Sequence, residues 1–127
     1  MTIRPEPLPS DQNPKDLLGV KKINIFAVPP SAILYTSLAM NNGGQKYGFY
    51  NWRGKKVVFS VYYSAAMRHL FALLDGQELD TESGLPHLAH ASACLAILID
   101  AKETGNLIDD RPAPGAAPKV LEDWRVP

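Results

Sequence analysis

KKVVFSVYYSAAMRHLFALL, residues 55–74, is the stretch on which the fold turns. Wound at about 3.6 residues per turn, it carries apolar side chains on nearly every side, as a helix buried in a bundle does. Its first seven residues, Lys55 to Val61, also have strand propensity, which leaves a strand-to-helix reading open. Because SAAMRHLFALL continues without a breaker to Asp75-Gly76, where glycine supplies a stop, the run is read as one helix.

Working outward, the upstream segment predicts a helix from Pro30 to Asn42 with Ile33, Leu34 and Leu38 on one face and no acidic residue, ended by Gly43-Gly44. Before it, Ile23 to Val28 reads as a short strand or extended segment. Downstream, Pro86 suits a first helical turn, Asp80, Thr81 and Ser83 offer capping groups, and a third helix runs to Glu103 before Thr104-Gly105-Asn106. Three helices with short polar links predict an all-α fold, a small helical bundle. The second helix is apolar nearly all round, so three helices leave hydrophobic surface uncovered; self-association into a homo-oligomer, a dimer or tetramer, is the expected remedy. Residues 1–18, with four prolines, read as a flexible N-terminal arm, 19–112 as the helical domain, and 113–127 as an irregular tail whose Val120 to Trp124 suit one docking turn.

The chain has 127 residues, 46% of them hydrophobic and 20% charged, which suits one globular domain. A formal charge of zero excludes the bulk positive field with which proteins hold nucleic-acid polymers, and a small local ligand is expected instead. Cys94 has no second cysteine to pair with, and no signal-like apolar segment opens the sequence, so the reading is cytoplasmic. Arg68, His69, His87 and His90 interrupt the apolar runs well short of the roughly 18 to 20 residues a membrane span requires.

Two groups of residues carry chemistry. GQKYGFYNWRG, residues 44–54, is a cationic, aromatic loop: Lys46, Arg53, Lys55 and Lys56 suit phosphate oxygens, and Tyr47, Phe49, Tyr50 and Trp52 offer faces for a base. Taken singly, these rings also read as core anchors and the lysines as a solvated rim. The glycines do not form a P-loop, for Gly-x4-Gly-Lys-Ser/Thr is absent. In the second group, His87 and His90 lie three apart on the third helix, about 5–6 Å between Cβ atoms, with Asp80 and Glu82 just upstream and Cys94 on the same stripe. A mixed imidazole and carboxylate set suits Mn, Zn, Co or Fe, whereas Mg prefers oxygen ligands; the metal candidates are Asp80, Glu82, His87 and His90. The alternative is a pair of hydrogen-bonded core histidines and two acids complementing the helix dipole. His-Glu-x-x-His is absent, as is the adjacent His-Asp of HD-type phosphohydrolases. His69, beside Arg68, reads as a third imidazole, a general acid or base, or a satisfied core histidine. Asp100 and Glu103 fall about 20 Å along the helix from His87 and so outside that site, and Asp109 and Asp110 are second-rank candidates.

The succession Val28-Pro29-Pro30-Ser31-Ala32, Lys46-Tyr47-Gly48, Tyr50-Asn51-Trp52-Arg53, Arg68-His69-Leu70, Asp80-Thr81-Glu82-Ser83-Gly84, His87-Leu88-Ala89-His90-Ala91 and Asp109-Asp110-Arg111-Pro112 resembles the phage and prophage dATP/dGTP diphosphohydrolase family, from about Gly19 to Pro112. Its MazZ type is similar to MazG-like all-α nucleotide pyrophosphohydrolases. The resemblance implies a helical, oligomeric, metal-dependent enzyme, in the host cytoplasm if phage-encoded, that cleaves a deoxypurine triphosphate to dNMP and pyrophosphate. MazG-like enzymes hold Mg on Glu-Glu-x-x-Glu and Glu-x-x-Asp, which the helices here lack. Either the cation, Mg or Mn with Zn or Co as further options, sits on Asp80, Glu82, His87 and His90, or the chain binds nucleotides without cleaving them. In the first case His69, Glu82 and His87 are the catalytic candidates, and Lys46, Tyr47, Asn51, Trp52, Arg53 and Arg68 bind substrate. In the second, the protein is a phage sponge that sequesters a host defence nucleotide. A third reading makes the loop an oligomer contact.

Overall fold

The computed structural model describes residues 13–127. It is helical, as expected: α1 (Pro14–Gly19), α2 (Pro30–Tyr47), α3 (Asn51–Gly54), α4 (Phe59–Leu74), α5 (His87–Glu103) and α6 (Ala117–Asp123), with a 3₁₀ turn at Ile25–Ala27 and two-residue strands β1 (Val57–Val58) and β2 (Leu107–Ile108). The long helix α5 is the axis of the fold, with α4 against one flank and α2 against the other.

Helix α5 forms because no glycine or proline interrupts His87 to Glu103, and it ends where Gly105 turns with φ +73° and the Asn106 N–H returns to the Ala101 carbonyl at 2.7 Å. Its buried side chains are mostly alanines, Ala89, Ala91, Ala93 and Ala101, together with His87 and Leu98. Such small residues let neighbouring backbones approach closely. Ala89 and Ala93 meet Ala39 of α2, with Met40 alongside, while Ala101 packs with Trp52 and Val57. Since Ala101 is 0% exposed, an Ala101→Leu substitution leaves its added atoms no room and is expected to cost about 1–3 kcal/mol, read as a lower urea midpoint with unchanged slope.

Sequence and structure part at several element ends. The run at 55–74 is strand followed by helix, not one helix from Lys55: β-branched Val57 and Val58 pair in parallel with Leu107 and Ile108. That pairing brings Asp110 over the start of α4, where the Ser60 backbone N–H donates to its carboxylate at 2.9 Å and the Ser60 hydroxyl donates to its other oxygen. The donors lower the pKa of Asp110, which acts as a cap supplied from 50 residues away. Helix α2 does not stop at Gly43-Gly44 but runs on to Tyr47, ending at Gly48 with φ +94°. Gly44 is needed there because the Phe49 ring folds back onto it: a Cβ at this position would stand 2.4 Å from the ring.

The α2 stripe Ile33, Leu34 and Leu38 faces outward, while Thr36, whose hydroxyl meets that of Ser92 at 2.5 Å, and Ala39 face α5. On α5 itself Leu88, Leu95 and Ile99 are exposed along one line. Ile23 to Val28 forms a bend with one 3₁₀ turn instead of a strand. Of the expected N-terminal arm, residues 1–12 lie outside the described residues, and Pro14–Gly19 is helical, capped by the Asn13 side chain on the Lys15 N–H at 2.8 Å. The expected irregular tail contains exposed α6. Among the described residues no helix is long and apolar enough to cross a membrane.

Candidate active site

A cavity of ≈ 610 Å³ opens over α5, walled by α2 and α3 on one side and α4 on the other. It brings together most of the two residue groups singled out in the sequence. Lys46, Tyr47, Asn51 and Trp52 line it, and so do His69, Asp80, Glu82 and His90. Tyr62 and Cys94 also line it, and burial pushes both of their pKa values up, so they present neutral walls.

The polar end is built on His69 and His90, which line the cavity, with His87 buried against His69 and not itself among the lining residues. His69 of α4 stacks on His90 of α5, ring centroids 4.8 Å apart and 13° between planes, and it tilts against His87 at 5.1 Å. His87, one turn before His90, is buried with 4% exposure, and its Nδ1 faces His69 Nδ1 at 2.8 Å. Its other nitrogen, Nε2, meets Gln77 Oε1 at 2.7 Å. Burial lowers the pKa of His69, and the neighbouring His90 and His87 lower it further, which favours the neutral imidazole.

Asp80 is delivered by a tight turn between α4 and α5. An isolated bridge joins Leu79 to Pro86, the Asp80 N–H donates to the Leu85 carbonyl at 2.8 Å, and the Gly84 N–H donates back to the Asp80 carbonyl at 2.8 Å. Ser83 fastens the turn to the helix: its N–H donates to Asp80 Oδ2 at 2.8 Å and its hydroxyl meets His90 Nε2 at 2.7 Å. Burial raises the Asp80 carboxyl, but the Ser83 donors and the nearby His90 and His69 hold it below the ordinary carboxylate range. One donor atom each from His69, Asp80 and His87 falls within 4.8 Å of the others, a mixed nitrogen and oxygen set that fits a divalent cation. Of the metal candidates in the sequence, Asp80 and His87 belong to this set. His90 is turned to Ser83, 3.9 Å from Asp80, and Glu82 is 77% exposed and bonded to Lys46 at 2.6 Å. His69 joins through the fold, across 18 residues, where no helical spacing could announce it.

The aromatic end differs from a row of free stacking surfaces. Trp52 is 6% exposed and its indole N–H donates to Asp100 Oδ2 at 2.6 Å, so it is a core anchor as well as a wall of the cavity. Arg53 grips the same carboxylate with Nε at 2.9 Å and Nη2 at 3.0 Å and lies over the Tyr50 ring, 4.6 Å from its centroid. Arg53 does not line the cavity, nor does the exposed Arg68, which leaves Lys46 as the one lysine or arginine lining it among the described residues. Asp100 lies apart from the histidines, as its position on the helix dictates, yet it anchors the aromatic wall, and only the pairing of distant segments reveals that role. Asp109 is paired with Arg111 at 2.7 Å and Asp110 with Ser60, so neither joins the cation set.

Set against known proteins, residues 12–111 match a family model described as dATP/dGTP diphosphohydrolase, N-terminal. A relative from Salmonella phage PMBT28 named dATP/dGTP diphosphohydrolase is 36% identical over 80 residues, covering 63% of this chain and 27% of that protein. The chain thus spans about a quarter of that relative's length. No solved structure matches it.

Proposed function

The chain belongs to the dATP/dGTP diphosphohydrolase family, and from that premise we propose that it converts deoxypurine triphosphates to the monophosphate and pyrophosphate in the cavity over α5. The observation that carries the reading is the continuity of this cavity, whose rings and amides lie at one end and whose imidazoles and Asp80 lie at the other. A purine fits among Tyr47, Tyr50 and Trp52, with Asn51 and Asn41 at hand for its edge, while the polyphosphate reaches toward His69 and Asp80.

Charge supports a cation in that site. A nucleoside triphosphate brings several negative charges to a cavity that holds Asp80 and Glu82 and a single lysine, Lys46. When bound at His69, Asp80 and His87, a divalent ion would supply Lewis-acid charge to the triphosphate. The chain's own residues do the remaining work. Lys46 and Glu82 form a solvent-exposed pair, worth little in stability, which a phosphate can replace. Lys46 then pairs with phosphate oxygens, and Glu82 is released toward the cavity as the base. Water oxygen attacks the α-phosphorus, its proton passes to Glu82, the bond to the bridging oxygen breaks and pyrophosphate leaves. His90, held by Ser83, orients the polar end. Self-association through Ile33, Leu34 and Leu38 on α2 and Leu88, Leu95 and Ile99 on α5 would cover their exposed apolar surface.

The test is direct: purified protein with dGTP or dATP and Mg²⁺, Mn²⁺, Co²⁺ or Zn²⁺ is expected to give dGMP or dAMP and pyrophosphate, resolved by ion-exchange chromatography. No product from any deoxynucleoside triphosphate with any of these ions overturns the hydrolase. A second reading, a non-catalytic nucleotide-sequestering module, draws on the absence of any acidic residue from α2. It predicts ligand that stays bound in EDTA and is recovered intact.

A further inference from the structure

An amide oxygen only accepts hydrogen bonds, so the Gln77 Oε1 at 2.7 Å fixes the N–H of neutral His87 on Nε2. The other ring nitrogen, Nδ1, then carries a lone pair aimed at His69 Nδ1, 2.8 Å away. Two lone pairs facing each other at that separation repel unless a proton or a cation lies between them. In the cation-free protein His69 answers with an Nδ1–H. When it takes the other neutral tautomer, both Nδ1 atoms and an Asp80 oxygen offer electron pairs to one small volume.

Gln77 is placed for this by its backbone. Its N–H donates to the Ala72 carbonyl at 2.9 Å after the turn at Gly76, and the next residue's carbonyl accepts the His87 N–H at 3.0 Å. The side chain of an otherwise exposed linker residue is thereby aimed at a buried ring. We propose that Gln77 is a positioning residue that locks His87 in its Nε2–H tautomer, so that His87 and His69 form a two-imidazole face selecting a borderline transition-metal ion such as Zn²⁺ or Co²⁺ over Mg²⁺. The inference rests on the metal-centre reading above and adds to it the class of ion and the residue that sets the donor face. Imidazole nitrogen suits the later first-row ions, whereas Mg²⁺ prefers oxygen and gives up water reluctantly. Partners that orient a ligating histidine through its second nitrogen typically change metal affinity by about 10–100-fold.

Calorimetric titration of the full chain with Co²⁺, Zn²⁺ and Mg²⁺, together with the visible absorption of bound Co²⁺, separates the outcomes without any turnover assay. Wild type is expected to bind Co²⁺ and Zn²⁺ more tightly than Mg²⁺. Gln77→Ala is expected to weaken Co²⁺ and Zn²⁺ about 10–100-fold with helical circular dichroism unchanged, metal-free melting falling because the buried His87 Nε2–H loses its acceptor, and Gln77→Glu, which keeps an acceptor oxygen, to restore binding. Equal Co²⁺ affinity in wild type and Gln77→Ala overturns the positioning role and leaves the metal centre standing. Tighter binding of Mg²⁺ than of Co²⁺ overturns the selection. A wild-type chain that binds none of the three ions overturns the metal centre and this inference with it.

Discussion

His87→Ala is expected to abolish turnover of dGTP, a loss well beyond the ~100-fold that removal of an orienting partner costs a metal site. The substitution removes the donor opposite His69, leaves Gln77 without its ring, and reduces the three-residue set to His69 and Asp80. The fold is expected to survive, because the released Gln77 oxygen reaches water. Circular dichroism should therefore match wild type while rates fall to background. His69→Ala should behave alike. Arg68→Ala is the control: Arg68 is exposed and does not line the cavity, so its rate should stay within about threefold of wild type. Substantial residual activity in His87→Ala, or loss of activity in Arg68→Ala matching that of His87→Ala, would move the chemistry elsewhere.

The second large effect is expected at Asp100. One carboxylate accepts from the Trp52 indole and twice from the Arg53 guanidinium, which ties α3 to α5 and holds the aromatic wall of the cavity. Asp100→Asn leaves too few acceptors for three donors and turns an amide N–H₂ toward them, so the buried indole loses its partner. A clear fall in melting temperature and weaker nucleotide binding should appear together. The pH dependence has a definite sign. Arg53 first and Trp52 second lower the Asp100 pKa from 3.8 to about 2, so folding favours its ionised form. That contribution is complete above about pH 4 and is lost as the pH falls toward 2. Asp109, held to about 2 by Arg111, adds to the same acid limb. Thermal melts of wild type should therefore fall over that interval, and Asp100→Asn should flatten the fall. Parallel acid limbs in the two proteins would remove Asp100 as a cause.

The existence of α2 and α5 was legible from Pro30, Pro86 and Gly105, because proline and glycine punctuation acts locally, whereas the short helices α1, α3 and α6 lie in segments read as arm, loop and tail. Other element ends were not legible. Val57 leaves the helical run because it meets Leu107, and α2 passes through Gly44 because Phe49 covers it; in both cases the deciding partner lies outside the local window. The same holds in the cavity. His87 and Asp80 were legible as potential ligands by type and nearness, but Gln77 is an ordinary linker residue until the fold turns its amide to His87. Trp52 and Arg53 looked like ligand contacts because their composition suits a nucleotide; that Asp100 engages both is a fact of helix packing, invisible to spacing along one helix.

The cap that Asp110 places on α4 also fixes an order of events during synthesis. The helix that carries His69 has no side chain of its own to close its first turn, and the residue that does so lies 50 positions later. On the ribosome, β1 must wait for β2 and α4 for its acceptor until the segment around Asp110 has left the exit tunnel. The wall that carries His69 is therefore secured only after α5 has been made, and a nascent chain arrested before Asp110 emerges carries this imidazole on a helix with an open end.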